Sequence, residues 1–152
     1  MTTHFDGIAD MKEKVGDHLG YSDWHTVTQQ QVDLFADATG DHQWIHVDPE
    51  RAKKESPFGG PIAHGYLTLS LAPVLLAQVY SVSGLSMGLN YGLNKLRFPS
   101  PVPVGSRIRL GATLQSVEEI AGGAQVVMAL SVEVEHQEKP ACVAEAVYRF
   151  YA

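Results

Sequence analysis

A single apolar run, Tyr66 to Val82, followed by stretches in which apolar and polar residues alternate, sets what this chain can fold into. The run is nearly long enough to cross a membrane, but Pro73 and Gln78 interrupt it and no basic flank anchors it. It reads as one buried core helix. Ile108, Leu110, Ala112 and Leu114 alternate with Arg107, Arg109, Gly111 and Thr113, the period of a half-buried strand. Val126, Met128, Leu130, Val132 and Val134 repeat the pattern, as do Cys142, Ala144, Ala146, Tyr148 and Phe150. Ser86 to Phe98 is a further strand, loosened by Gly88 and Gly92, and Trp24 to Val27 supplies an N-terminal one. Gly122-Gly123 and Lys139-Pro140 mark turns between the last three strands. Successive strands after one helix make an antiparallel sheet in an α+β domain.

At 152 residues and 45% hydrophobic content, residues 1–152 support one core and form a single domain. The lone Cys142 has no intrachain disulfide partner, which points to a reducing compartment. Met1 to Gly20 carries Asp6, Asp10, Lys12, Glu13, Lys14 and Asp17 and lacks a signal-type apolar core, so the expected location is the cytoplasm, with no membrane association. The formal net charge of -6 argues against nucleic acid, which needs clustered Lys and Arg.

The chemistry concentrates in Gly40-Asp41-His42-Gln43-Trp44-Ile45-His46. On one continuous helix, Asp41 and His46 would lie about 140° apart, too far round to share a substrate atom. They can cooperate from a loop. Thr28-Gln29-Gln30-Gln31 has capping-box spacing, and Val32, Phe35 and Ala36 follow at helical intervals up to Gly40, whose missing Cβ suits a left-handed C-terminal position. Asp48-Pro49 opens the next helix, with the carboxylate at N-cap and proline at the first helical position. Asp41 to Val47 is therefore read as a short connection. Taken alone, Asp41 reads more readily as an ordinary helix-end cap than as a base.

A second motif, Gly59-Gly60-Pro61-Ile62-Ala63-His64-Gly65, leads directly into the apolar run. Backbone N–H groups exposed at a helix start can stabilise a developing oxyanion, and Gly65 is the candidate donor. The alternative is that Gly65 only permits close packing against the sheet.

Together these stretches resemble the MaoC-like, (R)-specific enoyl-CoA hydratase family of the hot-dog fold. The resemblance rests on Gly40-Asp41, His46 five residues after the acid, Ala52 six residues later, and Ala63-His64-Gly65. It continues through Asn90 to Pro99 and Pro101 to Gly105. The family reads Gly-Asp-x-Asn-Pro-Ile/Leu-His, whereas Gln43 and Trp44 replace Asn-Pro here. Some members carry a serine where this chain has Pro73, and no role is carried to that position. The resemblance implies a sheet wrapped around a long central helix, a homodimer with a continuous sheet, and a hydro-lyase converting trans-2-enoyl-CoA to (3R)-3-hydroxyacyl-CoA or the reverse. The sheet's apolar edge also suits pairing with a second copy.

In this reading Asp41, ionised, and His46, neutral, hold one water, and the Gly65 N–H polarises the thioester carbonyl. No cofactor is needed, because the thioester itself acidifies the α-carbon. Expected substrate contacts are His64, Gln43, Arg51, Lys95 and Arg97. Arg51 with Lys53 and Lys54, and Lys95 with Arg97, are the two cation clusters available to coenzyme A phosphates, although a solvated helix face is the simpler account of the first.

Asp41, His42, His46 and His64 do not follow zinc-motif spacing, so no metal is expected. His4, His18, His25 and His136 read as surface or strand positions, and Cys142 as packing. No Gly-x-Ser-x-Gly nucleophile motif is present. A hot-dog thioesterase and a non-catalytic acyl-CoA binding domain are the alternative functions.

Overall fold

The computed structural model describes residues 2–152. Its elements run β1 (Thr3–Phe5), α1 (Gly7–Glu13), β2 (His18–Tyr21), β3 (His25–Thr26), α2 (Gln29–Thr39), α3 (Trp44–Val47) and α4 (Pro49–Glu55), then α5 (Gly65–Ser70), α6 (Ala72–Val79), β4 (Tyr80–Val82), β5 (Met87–Arg97), β6 (Arg107–Ile120), β7 (Gly123–Val134) and β8 (Cys142–Tyr151). The main sheet is antiparallel, in the order β2-β6-β7-β8-β5, with β3 also paired to β6.

Alternation built this sheet as expected. Ile108, Leu110, Ala112 and Leu114 of β6 oppose Val134, Val132, Leu130 and Met128 of β7, and all eight are buried. They pack with Leu75, Leu76 and Val79 of α6 in one core, so the sheet wraps the helical segment in the hot-dog manner. Leu110 is fully enclosed, and its truncation to Ala is worth about 2–5 kcal/mol. A register shift between Leu114 and Ser116 inserts one residue, so the inward set changes from even to odd positions and Val117 packs on the core. That bulge hid the continuation of β6 to Ile120 from a strict period-two reading.

The central helix differs from the expectation of one helix over Tyr66–Val82. It is two helices meeting at Leu71, and its last three expected residues form β4. Pro73 has no N–H to give to the carbonyl of Leu69, which marks the join. Tyr80–Val82 are extended because they pair, in parallel, with Thr3–Phe5. This N-terminal segment, with α1 and β2, carried no periodic signal in the sequence; Phe5 and Met11 nevertheless reach full burial.

Strand β5 is an edge of the sheet. Met87, Leu89, Tyr91 and Leu93 are exposed along it. No helix among the described residues is long and apolar enough to cross a membrane.

Candidate active site

Helix α2 begins as its capping signal requires: the Thr28 hydroxyl accepts the Gln31 N–H at 3.1 Å. The reciprocal half of the box does not form, because the Gln31 side-chain oxygen lies 2.9 Å from the His25 ring. The helix ends at Gly40, which takes φ +85° and returns its N–H to the Ala36 carbonyl at 2.8 Å. The chain turns sharply there and Asp41 leaves the helix axis. The Asp41 carboxylate accepts the Gln43 N–H at 3.3 Å, opening the single helical turn α3 that carries His46. The expected loop over Asp41–Val47 is thus a loop only as far as Gln43. The next helix is as read: Asp48 accepts the Arg51 N–H at 3.1 Å and Pro49 opens α4.

His46 is 7% exposed and tightly held. Its Nδ1 lies 2.7 Å from the Ile62 carbonyl. A carbonyl only accepts, so Nδ1 carries the proton and Nε2 is left with a free lone pair. The backbone is fixed as well: Gln29 Nε2 donates to the His46 carbonyl at 2.7 Å, and the Ile62 N–H donates to the Ile45 carbonyl at 3.0 Å. On the far side of the 59–65 segment, the Ala63 N–H reaches the Val102 carbonyl at 2.8 Å. Burial pushes the His46 pKa below the usual imidazole range, and His64 beside it adds to that, against the opposing Ile62 bond and Asp41 charge. The ring is therefore neutral at pH 7, ready to take a proton.

His64 is only 3% exposed. Its Nε2–H donates to the Asp41 carbonyl at 2.9 Å, and its ring stacks on that of His46 with centroids 3.9 Å apart and planes inclined by 24°. Phe35 lies against it at 4.9 Å. Its Nδ1 is buried without a partner among the described residues.

Asp41, His46 and His64 each offer a ligand-type atom within 4.8 Å of the others, so a metal has to be weighed. Imidazole lone pairs lie in the ring plane. Two nearly parallel rings 3.9 Å apart direct those pairs alongside each other, whereas a zinc ion needs both nitrogens to converge at about 2.0–2.1 Å. The stacking suits chelation poorly. The separation within 4.8 Å suits a bridging water: two hydrogen bonds of about 2.8 Å at a tetrahedral angle span about 4.6 Å.

His46 and Gly65 open onto one cleft of about 410 Å³, together with Phe58, Thr68, Phe98 and Ala141. Gly65 is the first residue of α5, and its N–H has no acceptor among the described residues. A Cβ on Gly65 would meet the Phe98 ring at 3.2 Å, so the glycine also permits close packing.

The other expected contacts divide. His64, like Asp41, is in the site but is not among the cleft's lining residues: its ring stacks on His46 and it donates to the Asp41 carbonyl, a placement that gives the expected substrate contact little support. Gln43 is exposed at the start of α3 and is likewise not part of the cleft wall. Arg51 lies over the Trp44 ring at 4.3 Å and pairs with Glu55 at 2.6 Å, beside Asp48 and Glu50. A guanidinium already paired among carboxylates is poorly disposed to a phosphate, which favours the solvated-face account. Lys95 and Arg97 are exposed near the end of β5, just before the cleft residue Phe98.

The sequence pointed to no site role for Gln29, Phe35, Thr68 or Phe98. Gln29 showed only as part of a helix cap, and nothing local reveals a partner 17 residues away. Cys142 is buried and its thiol is pushed up to about 11 by that burial, consistent with packing. His42 is exposed and bonded to Asp37 at 2.9 Å, which raises its pKa.

Residues 10–138 match the family described as MaoC like domain. The 3-hydroxyacyl-thioester dehydratase Z of Mycobacterium tuberculosis is 55% identical over 149 residues, covering 97% of this chain and 98% of that protein. The (R)-hydratase from A. caviae involved in PHA biosynthesis superposes with a TM-score of 0.68 at 26% identity, covering 88% of this chain and 94% of that one. An R-hydratase from Pseudomonas aeruginosa shares the fold with a TM-score of 0.76 at 24% identity, covering 95% and 85%.

Proposed function

The chain belongs to the MaoC-like domain family, and from that premise we propose that it adds water across the double bond of a trans-2-enoyl-CoA to give the (3R)-3-hydroxyacyl-CoA, or runs the reverse dehydration. At the level of reaction class it is a hydro-lyase of the hydratase and dehydratase type. The observation that carries the finer reading is a ring nitrogen of the neutral His46 within 4.8 Å of an Asp41 carboxylate oxygen, with His46 and Gly65, though not Asp41, among the residues lining one cleft.

In the forward direction, one water donates a hydrogen bond to the Asp41 carboxylate and its other proton to His46 Nε2 as its oxygen attacks C3. The C2–C3 π electrons move towards the thioester carbonyl, whose oxygen becomes an enolate stabilised by the Gly65 N–H. The imidazolium then returns a proton to C2. Water's H and OH have been added across the double bond, His46 is neutral again, and nothing is oxidised or reduced. Asp41 offsets the transient positive charge on the ring. The chemistry requires no cofactor and no metal. The (3R) outcome is brought from the family and not from the geometry of this site.

The exposed apolar edge of β5 supports a homodimer with the sheet continued across the two-fold axis. Lys95 and Arg97, near the cleft, are the cations best placed for coenzyme A phosphates.

The test is loss of enoyl absorbance from crotonyl-CoA, run beside a free-thiol assay on the same protein. Hydration without thiol release, lowered about 10²- to 10⁴-fold by Asp41→Asn and by His46→Gln, is the expected result. Thiol release would make the chain a thioesterase. Neither activity with crotonyl-CoA or longer enoyl-CoA thioesters, despite measurable binding, would make it a non-catalytic acyl-CoA binding domain.

A further inference from the structure

We propose that His64 is a positioning residue: its Nε2–H holds the backbone of Asp41 and its ring holds that of His46, keeping carboxylate and Nε2 a water's span apart without touching substrate. The inference rests on the reading of Asp41 and His46 as the hydrating pair. Asp41 has little else to fix it. It follows a left-handed glycine, its exposed carboxylate accepts only the Gln43 N–H at a long 3.3 Å, and its own N–H reaches only the Thr39 hydroxyl at 3.4 Å. The bond from His64 to its carbonyl, at 2.9 Å, is the short tether, and it comes from a segment 23 residues further along the chain. The same ring covers a face of His46 at 3.9 Å. One side chain therefore touches both members of the pair without being part of the cleft wall.

Packing alone does not account for an imidazole in this place. Its Nδ1 is buried without a partner among the described residues, and a phenyl ring would occupy similar space without leaving a polar atom in that position. What the imidazole adds is an N–H in the ring plane, aimed at the Asp41 carbonyl. A displacement of about 1 Å in a reacting group can lower turnover about a hundredfold, so the tether has a kinetic consequence.

Two variants separate the parts. His64→Phe keeps a stacking ring and loses the donor, whereas His64→Gln keeps an N–H donor and loses the ring. With crotonyl-CoA, His64→Phe is expected to lower kcat about tenfold to a hundredfold with KM changed less than about twofold. His64→Gln should recover part of that loss. In an Asp41→Asn background, adding His64→Phe should cost no more than about a further twofold, because no carboxylate remains to be positioned.

A raised KM with unchanged kcat would make His64 a substrate contact, and a lowered melting temperature with normal turnover per folded molecule would make it packing. A full multiplicative loss on top of Asp41→Asn would make it an independent catalytic group. Each of these overturns the proposal. If His64→Phe does not fold, His64→Gln and the imidazole NMR of the wild type decide: a slowly exchanging Nε2–H on His64 is expected, and its absence would refute the tether. Should Asp41→Asn and His46→Gln themselves keep wild-type turnover, the hydrating pair is what has failed; if they are impaired and His64→Phe is not, only the positioning role has.

Discussion

Gly65→Ala tests whether the start of α5 serves the reaction or only the packing. The added Cβ would stand 3.2–3.3 Å from three carbons of the Phe98 ring, a few tenths of an ångström inside ordinary contact. Phe98 is 40% exposed, so the ring has solvent into which it can yield. A mild overpacking of this kind should cost about 1 kcal/mol, at the low end for core insertions. A domain of this length unfolds with an entropy of roughly 0.3 kcal/mol per kelvin, so the melting temperature should fall by only about 3 °C. Activity should respond more. Removing one oxyanion donor outright costs about 10²- to 10³-fold in kcat, and tilting the N–H while crowding a residue of the same cleft should lower kcat at least about tenfold. Thermal unfolding and crotonyl-CoA turnover on one preparation give both numbers. Adding Phe98→Ala removes the ring that the methyl strikes. If the double variant regains the turnover of Phe98→Ala alone, the loss came from that collision and not from the N–H. A fall in melting temperature above about 10 °C with normal turnover per folded molecule would refute the catalytic assignment.

Because His46 must be neutral to accept a proton and its pKa is lowered by burial, the acid limb of kcat/KM should fall below pH 6.5; a limb above 6.5 would contradict the buried, neutral base. The same shift has a stability sign: the folded pKa is depressed, so the contribution is complete above the unfolded value near 6.5 and is lost as pH falls through the lower folded value, and His46→Gln should flatten that part of the stability–pH curve. Arg51→Gln should leave KM for crotonyl-CoA within about twofold, since Glu55 and Trp44 already occupy the guanidinium, whereas Lys95→Gln and Arg97→Gln should raise KM in a manner that weakens at high salt; steady-state kinetics at two ionic strengths compare them. Leu89→Lys with Tyr91→Lys on β5 should convert a dimer to a monomer in sedimentation, and an unchanged mass would place the interface elsewhere.

Local rules determined much of this protein from its sequence. Strict alternation located β7, β8 and the first half of β6 because side chains on a pleated backbone change face at every residue, and a strand with one buried face has no other register. Thr28, Gly40 and Asp48-Pro49 bounded helices α2 and α4 because caps satisfy backbone groups within three or four residues. The acid and histidine were legible for the same reason: a helix stop between two helix signals forces a turn. What the tertiary structure alone decided depends on partners far away in the chain. Tyr80–Val82 left the helix for a strand because Thr3–Phe5 lay beside them, and no local propensity competes with a ladder that a distant segment completes. Asp41 and His46 became a pair only when the 59–65 segment supplied the Ile62 carbonyl to one ring nitrogen and placed His64 against both. Which nitrogen of His46 carries the proton is set by that carbonyl, 16 residues along the chain. Arg51 shows the converse: its charge was visible in the sequence, but Trp44 and Glu55 determine whether that charge is free to bind anything. A side chain's type is local information, whereas its free valence depends on everything the fold brings within about 4 Å of it.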